Sequence, residues 1–317
     1  MATTADDRRW LAAAATFAER ARPLSRRNPA VAAIAVRDGV VVGRGWTNVG
    51  GRPHAEAVAL EQAGEQARGA TLYVTLEPCA HQSQRGPACA DLASTAGLTR
   101  AVIGVSDPDP RTAGDGIARL RAAGVETVLA DDPACRASLA GYLTLRQRGR
   151  PHVTLKLAVT ADGFIARPDG SSKWITGEVA RAHVHRERAR ADAILVGGGT
   201  LRADAPRLDV RLPGLENRSP RRLLLTRGEA PNGWSALRSP EAIHELADCQ
   251  YLFVEGGSGA AAAFLEADLV DRILLYRAPV TFGEGIAAFP DGMPKGWTTI
   301  DQRRLGADTL EILERAR

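Results

Sequence analysis

The chain has few cysteines and few aromatic residues for its length. Its 317 residues include four cysteines, and aromatic residues make up 5% of the total. Four scattered cysteines form no dense disulfide framework, and nothing at the N-terminus resembles a signal peptide, so we expect a cytoplasmic protein. We assign Cys135 and Cys249 to the core. Few aromatic rings offer few platforms on which bases could stack, which argues against nucleic-acid binding.

Long apolar runs and concentrated charge are also missing. No uninterrupted apolar stretch approaches the roughly 20 residues that a helix needs to cross a bilayer, so we expect a soluble protein without a membrane partner. The 41 basic and 37 acidic residues leave a net charge of +4, and the excess is scattered along the chain. Phosphate on a small substrate, or a solvated surface rich in arginine, explains the arginines better than nucleic acid does.

The length and the alternation of strand and helix patterns predict two α/β domains. A chain of 317 residues exceeds one typical hydrophobic core. The first half predicts a sheet with helices on both faces and a site at the strand ends. A helix predicted at about 133–147 runs into the basic, Gly- and Pro-containing segment RQRGRP. We therefore place the boundary near Arg150, giving domains 1–150 and 151–317.

A histidine, a glutamate two residues later and two downstream cysteines form the most informative pattern. His54 and Glu56 lie in PHAEA, and nine residues separate Cys79 of LEPC from Cys89. Zinc held by one imidazole and two thiolates keeps a fourth position for water, which the metal acidifies. This grouping is the signature of zinc deaminases, in which the glutamate moves protons and is not a ligand. The sequence therefore predicts a hydrolytic deaminase.

Two prolines support this interpretation. Residues two apart in a regular helix point away from each other, so His54 and Glu56 can converge only where a helix begins. Pro53 fits such a beginning. Pro78 opens a turn ahead of Cys79 and places its sulfur near backbone N–H groups at a helix start, which favours the thiolate that zinc needs.

The second half contains two junctions in which a strand pattern ends in glycines before a helix. They read GGGT and EGGSG, and neither is a GxGxxG motif. Backbone N–H groups at such junctions can bind a phosphate, but glycines can equally serve the geometry of a turn. The residues by themselves leave both explanations open.

The order of motifs resembles that of the bifunctional riboflavin-biosynthesis deaminase/reductase family. The motifs that carry the resemblance are NP, HAE, EPC, a delayed second cysteine, DPDP, KLAVTADG, SKWIT, DAILVGGGT, ADAPRL and EGG. The family joins an N-terminal cytidine-deaminase-like three-layer α/β/α domain to a C-terminal dihydrofolate-reductase-like α/β domain. Nucleoside deaminases keep two residues between the cysteines, whereas the riboflavin enzymes have a longer loop, as this chain does.

For the first domain the resemblance implies a zinc enzyme acting on a diaminopyrimidinone that bears ribosyl phosphate. His54, Cys79 and Cys89 would bind zinc, and Glu56 would carry protons between water and the departing amine. The product would be a uracil. The DPDP motif matches a segment that lies by the substrate in the family, although the bare sequence is equally a turn.

For the second domain the resemblance implies reduction of the ribosyl group to ribityl by NADPH. The residues placed against the cofactor are Ala158, Trp174, Thr200, Asp204, Thr226, Gly257 and Ser258. The residues placed against the substrate are Ser172, Arg188, Leu208, Arg211 and Glu255. Guanidinium forks match phosphate oxygens, which suits the two arginines. Lys156, on a strand among apolar residues, is also predicted to contact the substrate.

Three departures from the family pattern bear on substrate choice. The cysteine loop is one residue longer than usual, Thr47 stands where many members carry histidine, and Ala205 interrupts the common ADDP string. One alternative is therefore a relative that acts on a different pyrimidine in secondary metabolism. Another is a binding module with structural zinc, for which His81 is the nearest fourth ligand. The sequence also leaves a homo-oligomer open.

Overall fold

The computed structural model describes residues 3–172, 174–290 and 292–315 of the chain. The chain divides into two compact units, Met1–Gly149 and Arg150–Arg317, called unit 1 and unit 2 below. Within the described ranges, no helix is both long enough and apolar enough to cross a bilayer.

Unit 1 is built around a five-stranded sheet. Its strands are β1 (Ala32–Arg37), β2 (Val40–Trp46), β3 (Thr71–Leu76), β4 (Arg100–Val105) and β5 (Glu126–Leu129). Its helices are α1 (Ala5–Ala18), α2 (Ala55–Ala63), α3 (Cys89–Thr95), α4 (Asp115–Ala122), α5 (Pro133–Ser138) and α6 (Ala140–Arg148). The strand order is β2-β1-β3-β4-β5. Strand β1 is antiparallel to both neighbours, whereas β3, β4 and β5 are parallel.

The helices of unit 1 form two separate groups on the sheet. Helix α1 packs against β1, β3 and α5, while α2 packs against β1, β2 and α3, which in turn contacts α4. The predicted α/β/α layering is thereby confirmed. The single helix predicted at about 133–147 is wrong, because the chain leaves helical geometry at Leu139 (φ −99°, ψ 6°). Leu139, the residue at the break, is fully buried.

Two glycines of β2 let helix α2 lie directly on the strand. A Cβ atom at Gly43 would lie 2.1 Å from the Ala59 carbonyl oxygen, and one at Gly45 would lie 2.4 Å from the Ala55 carbonyl oxygen. Because these contacts are to backbone atoms, no side-chain rotation could relieve them. The glycines therefore fix the distance between β2 and the helix that begins beside His54.

We expect Gly45→Ala to destabilise unit 1. The added methyl group must push α2 away from the sheet, and overpacking of this kind costs about 1–3 kcal/mol. Calorimetric thermal unfolding measures the loss. Arg44→Ala is the matched control, because Arg44 is the exposed neighbour on the opposite face of β2. Equal changes in the unfolding temperature of the two variants would contradict the prediction.

Unit 2 contains an eight-stranded sheet and a separate two-stranded one. Its helices are α7 (Glu178–Arg188), α8 (Gly198–Asp204) and α9 (Ser258–Glu266). Its strands are β6 (His152–Val159), β7 (Phe164–Ala166), β8 (Ala193–Gly197), β9 (Arg221–Leu225), β10 (Trp234–Leu237), β11 (Tyr251–Val254), β12 (Arg272–Arg277), β13 (Ile286–Ala287), β14 (Trp297–Leu305) and β15 (Asp308–Arg315). The large sheet has the order β10-β9-β8-β11-β6-β12-β15-β14, and β13 pairs with β7.

Strand β6 lies in the parallel part of this sheet, between β11 and β12. Burial alternates along it: Leu155 and Leu157 are enclosed in the core, whereas Lys156 and Ala158 are only partly buried. Side chains alternate between the two faces of a strand, so Lys156 and Ala158 share the face opposite that core. The predicted strand is confirmed, and its second face adjoins another core cluster, which contains Phe253 and Leu274.

Candidate active sites

The predicted metal ligands come together in unit 1. The ligand atoms of His54, Cys79 and Cys89 all lie within 4.8 Å of one another. His54 Nδ1 is 3.5 Å from Cys79 Sγ and 3.3 Å from Cys89 Sγ. Among the described residues, His81 does not join this group. One nitrogen and two sulfur donors suit zinc and leave a fourth position open, as in catalytic zinc sites.

Local structure explains how the three predicted ligands come together. His54 is the N-cap of α2, with extended backbone (φ −74°, ψ 162°), and Glu56 lies in the first turn. Cys79 follows the carboxyl end of β3, and Cys89 begins α3. The backbone N–H of Cys89 donates to Cys79 Sγ at 3.3 Å. A helix start therefore does stabilise negative charge on Cys79, but the helix is the one that begins at Cys89.

Burial controls the charges around this group. Glu56 is 3% exposed, and burial raises the pKa of its carboxyl to about 7. The hydrogen bond between the two cysteines lowers the pKa of Cys79 and raises that of Cys89. Without a metal the pair therefore favours one thiolate and one thiol, and metal binding must release the remaining proton.

A buried carboxylate next to the metal ligands connects three segments of unit 1. Glu77, which is 2% exposed, accepts hydrogen bonds from Ser106 Oγ (3.1 Å) and from the backbone N–H groups of Asp107, Gly114 and Ile117, each at 3.2 Å. It thus joins the segment before Cys79 to the DPDP motif and to the start of α4. In the sequence Glu77 is the first residue of the EPC motif, and nothing in the motif predicted these hydrogen bonds.

The DPDP motif is a buried turn with opposite charges at its rim. Asp107 accepts a hydrogen bond from Tyr142 Oη at 2.7 Å, and burial raises the pKa of its carboxyl. Asp109 pairs with Arg111 at 2.6 Å and with Arg146 at 3.1 Å, and the Arg111 hydrogen bond holds its pKa at about 2. The turn interpretation is confirmed, while proximity to substrate remains a prediction.

Unit 2 contains a cavity of about 860 Å³, which is large enough for a dinucleotide fragment and a second ring. The predicted residues that line it are Lys156, Ala158, Ser172, Trp174, Arg188, Thr200, Asp204, Leu208, Arg211, Glu255, Gly257 and Ser258. Thr226 is not among the lining residues in the described part of the chain. Its hydroxyl accepts a hydrogen bond from the Gly228 backbone N–H at 3.1 Å. Its predicted cofactor contact stays a prediction.

The two glycine junctions meet at this cavity because β8 and β11 are adjacent and parallel. Thr200 Oγ1 accepts a hydrogen bond from the Gly257 backbone N–H at 3.0 Å, which joins one junction to the other. A Cβ atom at Gly256 would lie 2.5 Å from the Ala260 side chain, so close packing requires glycine there. The residues at the start of α9 line the cavity, and a helix N-terminus of this kind suits the phosphates of a dinucleotide cofactor.

A buried ion pair forms the polar wall of the cavity. Arg188 donates to both carboxylate oxygens of Glu255, at 2.5 and 3.0 Å, and to the Asp209 carbonyl oxygen at 2.9 Å. Burial lowers the pKa of Lys156, against the opposing charge of Glu255. Strand β6, strand β11 and helix α7 thus bring together three charged groups that lie far apart in the sequence.

Two lining residues of α7 were missed by sequence reasoning. Arg181 and His185 share the helix face of Arg188, seven and three residues before it. The Arg181 guanidinium carbon lies 5.0 Å from the ring centroid of the exposed Trp174. His185 Nδ1 accepts a hydrogen bond from the Arg211 backbone N–H at 3.3 Å. Helical spacing from Arg188 is the signal that could have identified both.

Two protein families match the chain, one in each unit. Residues 4–105 match the cytidine and deoxycytidylate deaminase zinc-binding region, and residues 151–310 match the RibD C-terminal domain. The first match contains the three predicted metal ligands and Glu56, and the second contains the lining residues of the cavity.

Curated relatives and solved structures agree with these matches. The riboflavin biosynthesis protein RibD of Aquifex aeolicus is 35% identical over 89% of both chains, and that of Corynebacterium ammoniagenes is 40% identical over 82% of both. Acinetobacter baumannii RibD superposes with a TM-score of 0.84 at 31% identity, covering 98% of this chain and 99% of its own. A Thermotoga maritima deaminase/reductase superposes with a TM-score of 0.84 at 29% identity and the same coverage. The chain belongs to the RibD family of riboflavin biosynthesis proteins, which combine a zinc-dependent deaminase with an NADPH-dependent reductase.

Proposed function

We propose that unit 1 deaminates diaminohydroxyphosphoribosylaminopyrimidine and that unit 2 reduces the resulting 5-amino-6-(5-phosphoribosylamino)uracil to its ribityl form. The Thermotoga maritima relative is described as the deaminase and reductase of these two compounds. The observation that carries the proposal is the group of His54, Cys79 and Cys89 beside the buried Glu56. We assign the deaminase to residues 1–150 and the reductase to residues 151–317.

In unit 1 we assign zinc binding to the three grouped side chains and proton transfer to Glu56. Zinc at such a site supplies an acidified water as the nucleophile for the ring carbon that carries the amine. The buried Glu56 carboxylate can take a proton from this water and return it to the departing nitrogen. Water is consumed and ammonia is released, and the amine-bearing carbon becomes a carbonyl.

In unit 2 we assign cofactor and substrate to opposite parts of the cavity described above. The glycine junctions, with Thr200 and Gly257, would hold the cofactor phosphates, and NADPH supplies a hydride to the open-chain ribosyl carbonyl. The wall of Lys156, Arg188 and Glu255 would hold the sugar and its oxygen atoms. The carbonyl oxygen must gain one proton for each hydride. The ammonium group of Lys156 is a partly buried donor that lines this cavity from β6.

The proposal also includes the location of the protein and its partners. Its four cysteines are buried and free of disulfides, which suits the reducing cytoplasm. The partner we assign is a small phosphorylated pyrimidine, and no nucleic acid or membrane takes part.

Supplying the phosphorylated diaminopyrimidine with and without NADPH tests the proposal. We expect ammonia to appear in both cases, and NADPH to be oxidised only after the deamination step has supplied its product. Ammonia and cofactor absorbance are followed separately. Failure of the well-expressed protein to restore growth of a riboflavin auxotroph would favour a relative that acts on a different pyrimidine.

We expect Lys156→Met to slow NADPH oxidation without affecting ammonia release. Methionine keeps much of the side-chain volume but removes the charged donor, and hydrogen bonds to charged groups are worth about 1.5–3 kcal/mol, or roughly tenfold to hundredfold in rate. The measurement is kcat/KM for the deaminated product with NADPH in excess. A variant with normal reduction would exclude Lys156 from the substrate site.

A further inference from the structure

Helix α4 begins without a cap from its own side chains. Its N-cap residue is Gly114, which has no side chain and a left-handed backbone (φ +90°). Glu77 Oε2 accepts a hydrogen bond from the Gly114 N–H and Glu77 Oε1 accepts one from the Ile117 N–H, each at 3.2 Å. A capping box satisfies the N–H groups at these same two positions with side chains of the helix itself. In unit 1 a single carboxylate, 40 residues before Ile117, satisfies both.

The same carboxylate also holds the DPDP turn. Glu77 Oε2 accepts from the Asp107 backbone N–H at 3.2 Å and from Ser106 Oγ at 3.1 Å. The Asp107 carboxylate in turn accepts from the Asp109 backbone N–H at 2.9 Å. The DPDP turn and the start of α4 are thus fixed to one and the same side chain.

Strand order places the DPDP turn beside the predicted metal ligands. Strands β3 and β4 are parallel neighbours, with Leu76 opposite Val105. Cys79 follows the end of β3 and the DPDP turn follows the end of β4, so both lie at the same edge of the sheet. Ligands of open α/β sheets bind outside the carboxyl ends of the strands. We therefore expect the DPDP turn to adjoin a substrate that reaches the metal group.

Close packing joins the start of α4 to the turn that carries Cys79. A Cβ atom at Gly116 would lie 2.1 Å from the Pro78 carbonyl oxygen and 3.1 Å from Glu77 Cγ. The sulfur of Cys79 is held separately, because it accepts a hydrogen bond from the Cys89 backbone N–H at 3.3 Å. Loss of the Glu77 carboxylate should therefore release the DPDP turn and the start of α4, and leave the sulfur in place.

We propose that Glu77 is a positioning residue of the deaminase, whose carboxylate fixes the DPDP turn and the start of α4 beside the substrate. This inference rests on the proposed function, which supplies the substrate. Glu77 is 2% exposed and its oxygen atoms already accept from four donors, so it acts through the turn and not by touching the substrate. A turn that is fixed in advance loses little entropy when a substrate binds, which favours affinity.

The test is Glu77→Gln, measured by steady-state ammonia release from the phosphorylated diaminopyrimidine. The amide has one acceptor oxygen, and its NH2 group cannot accept from a backbone N–H, so at least one of the four donors loses its partner. We expect KM to rise about tenfold to hundredfold, with kcat changed by less than about threefold. Zinc content and NADPH oxidation on the deaminated product should be unchanged. Loss of zinc would overturn the proposal, because the effect would then act through Cys79.

Asp132→Asn is the matched control, because it makes the same chemical change at another buried helix cap of unit 1. Asp132 is 6% exposed and accepts from the Cys135 backbone N–H at 2.9 Å at the start of α5. Helix α5 packs with α1, whereas α4 packs with α3 in the other group of helices. This variant should keep its KM, whatever its unfolding temperature. An equal change of KM in both variants, or none in either, would overturn the positioning role and leave Glu77 as a stabilising cap.

Ser106→Ala decides the question if Glu77→Gln does not fold. It removes one of the four donors and leaves the carboxylate in place, and Ser106 is exposed, so the fold should tolerate the change. A rise of about threefold or more in KM with normal zinc content would support the positioning role. An unchanged KM would overturn it.

A separate outcome identifies failure of the proposed function. If the unchanged protein releases no ammonia, its substrate has been assigned wrongly. Hydrogen exchange of the backbone amides of Asp107, Gly114 and Ile117 in the zinc-loaded full chain then tests the positioning role by itself. Exchange about tenfold faster in E77Q than in the unchanged protein and D132N supports the role, because the amides have lost their acceptor. Equal exchange in all three proteins overturns it.

Discussion

Glu56→Gln is expected to lower ammonia release by about 10²–10⁴-fold, the range contributed by a positioned general acid–base group. Glutamine has nearly the same shape, so α2 should begin normally and His54 should remain in place. The amide cannot carry a proton between water and the departing amine. Single-turnover ammonia release with saturating substrate measures the effect.

Zinc content and reduction supply the controls for this variant. Glu56 lies beside the metal group but is not a member of it, so the variant should retain the metal. NADPH oxidation on the deaminated product should continue at the normal rate, since unit 2 has its own cavity. If ammonia release persisted within threefold of normal, a structural role for the metal would be the better explanation.

Cys89→Ser is expected to remove zinc and ammonia release together. A serine hydroxyl is not a thiolate, and the loss leaves two of three protein ligands. Second-shell changes alone typically cost 10–100-fold in metal affinity or activity, so loss of a direct ligand should exceed about 100-fold. Zinc content after dialysis and ammonia release are measured on the same preparation, and NADPH oxidation on the deaminated product should survive.

Cys135→Ser provides the matched control for a buried thiol. Cys135 is fully buried in unit 1 and lies outside the metal group. Its Sγ lies 3.6 Å from the Leu11 carbonyl oxygen, which a serine hydroxyl could also contact. This variant should keep its zinc and its deaminase activity, even if it unfolds at a lower temperature. Loss of both activities in a folded Cys89→Ser protein would show that the two units do not work separately.

Much of the deaminase site could be predicted because its determinants are local. His54 and Glu56 lie at the start of one helix, and the order of PHAEA and EPC already limits the chemistry. The role of Glu77 could not be predicted in this way. Its four donors come from a segment about thirty to forty residues away, and only the parallel pairing of β3 with β4 brings them to the carboxylate.

The reductase cavity depended more on tertiary structure. The resemblance to the family identified many of the residues that line the cavity. It gave no physical reason why Lys156 and Glu255 should be neighbours. Strands β6 and β11 place them on one face of the sheet, and Arg188 reaches them from α7. Arg181 and His185 were missed because a charged helix face has the same composition whether it meets solvent or a ligand.

The sequence by itself indicated the candidate metal ligands, the glutamate beside them and the two-unit α/β organisation, since short spacings and alternating patterns encode them. The tertiary structure decided which distant groups share a cavity and where the helix predicted at 133–147 breaks. The physical reason is that chain connectivity limits distances only between near neighbours. Strand order and core packing set the remaining distances, and no single segment carries that information.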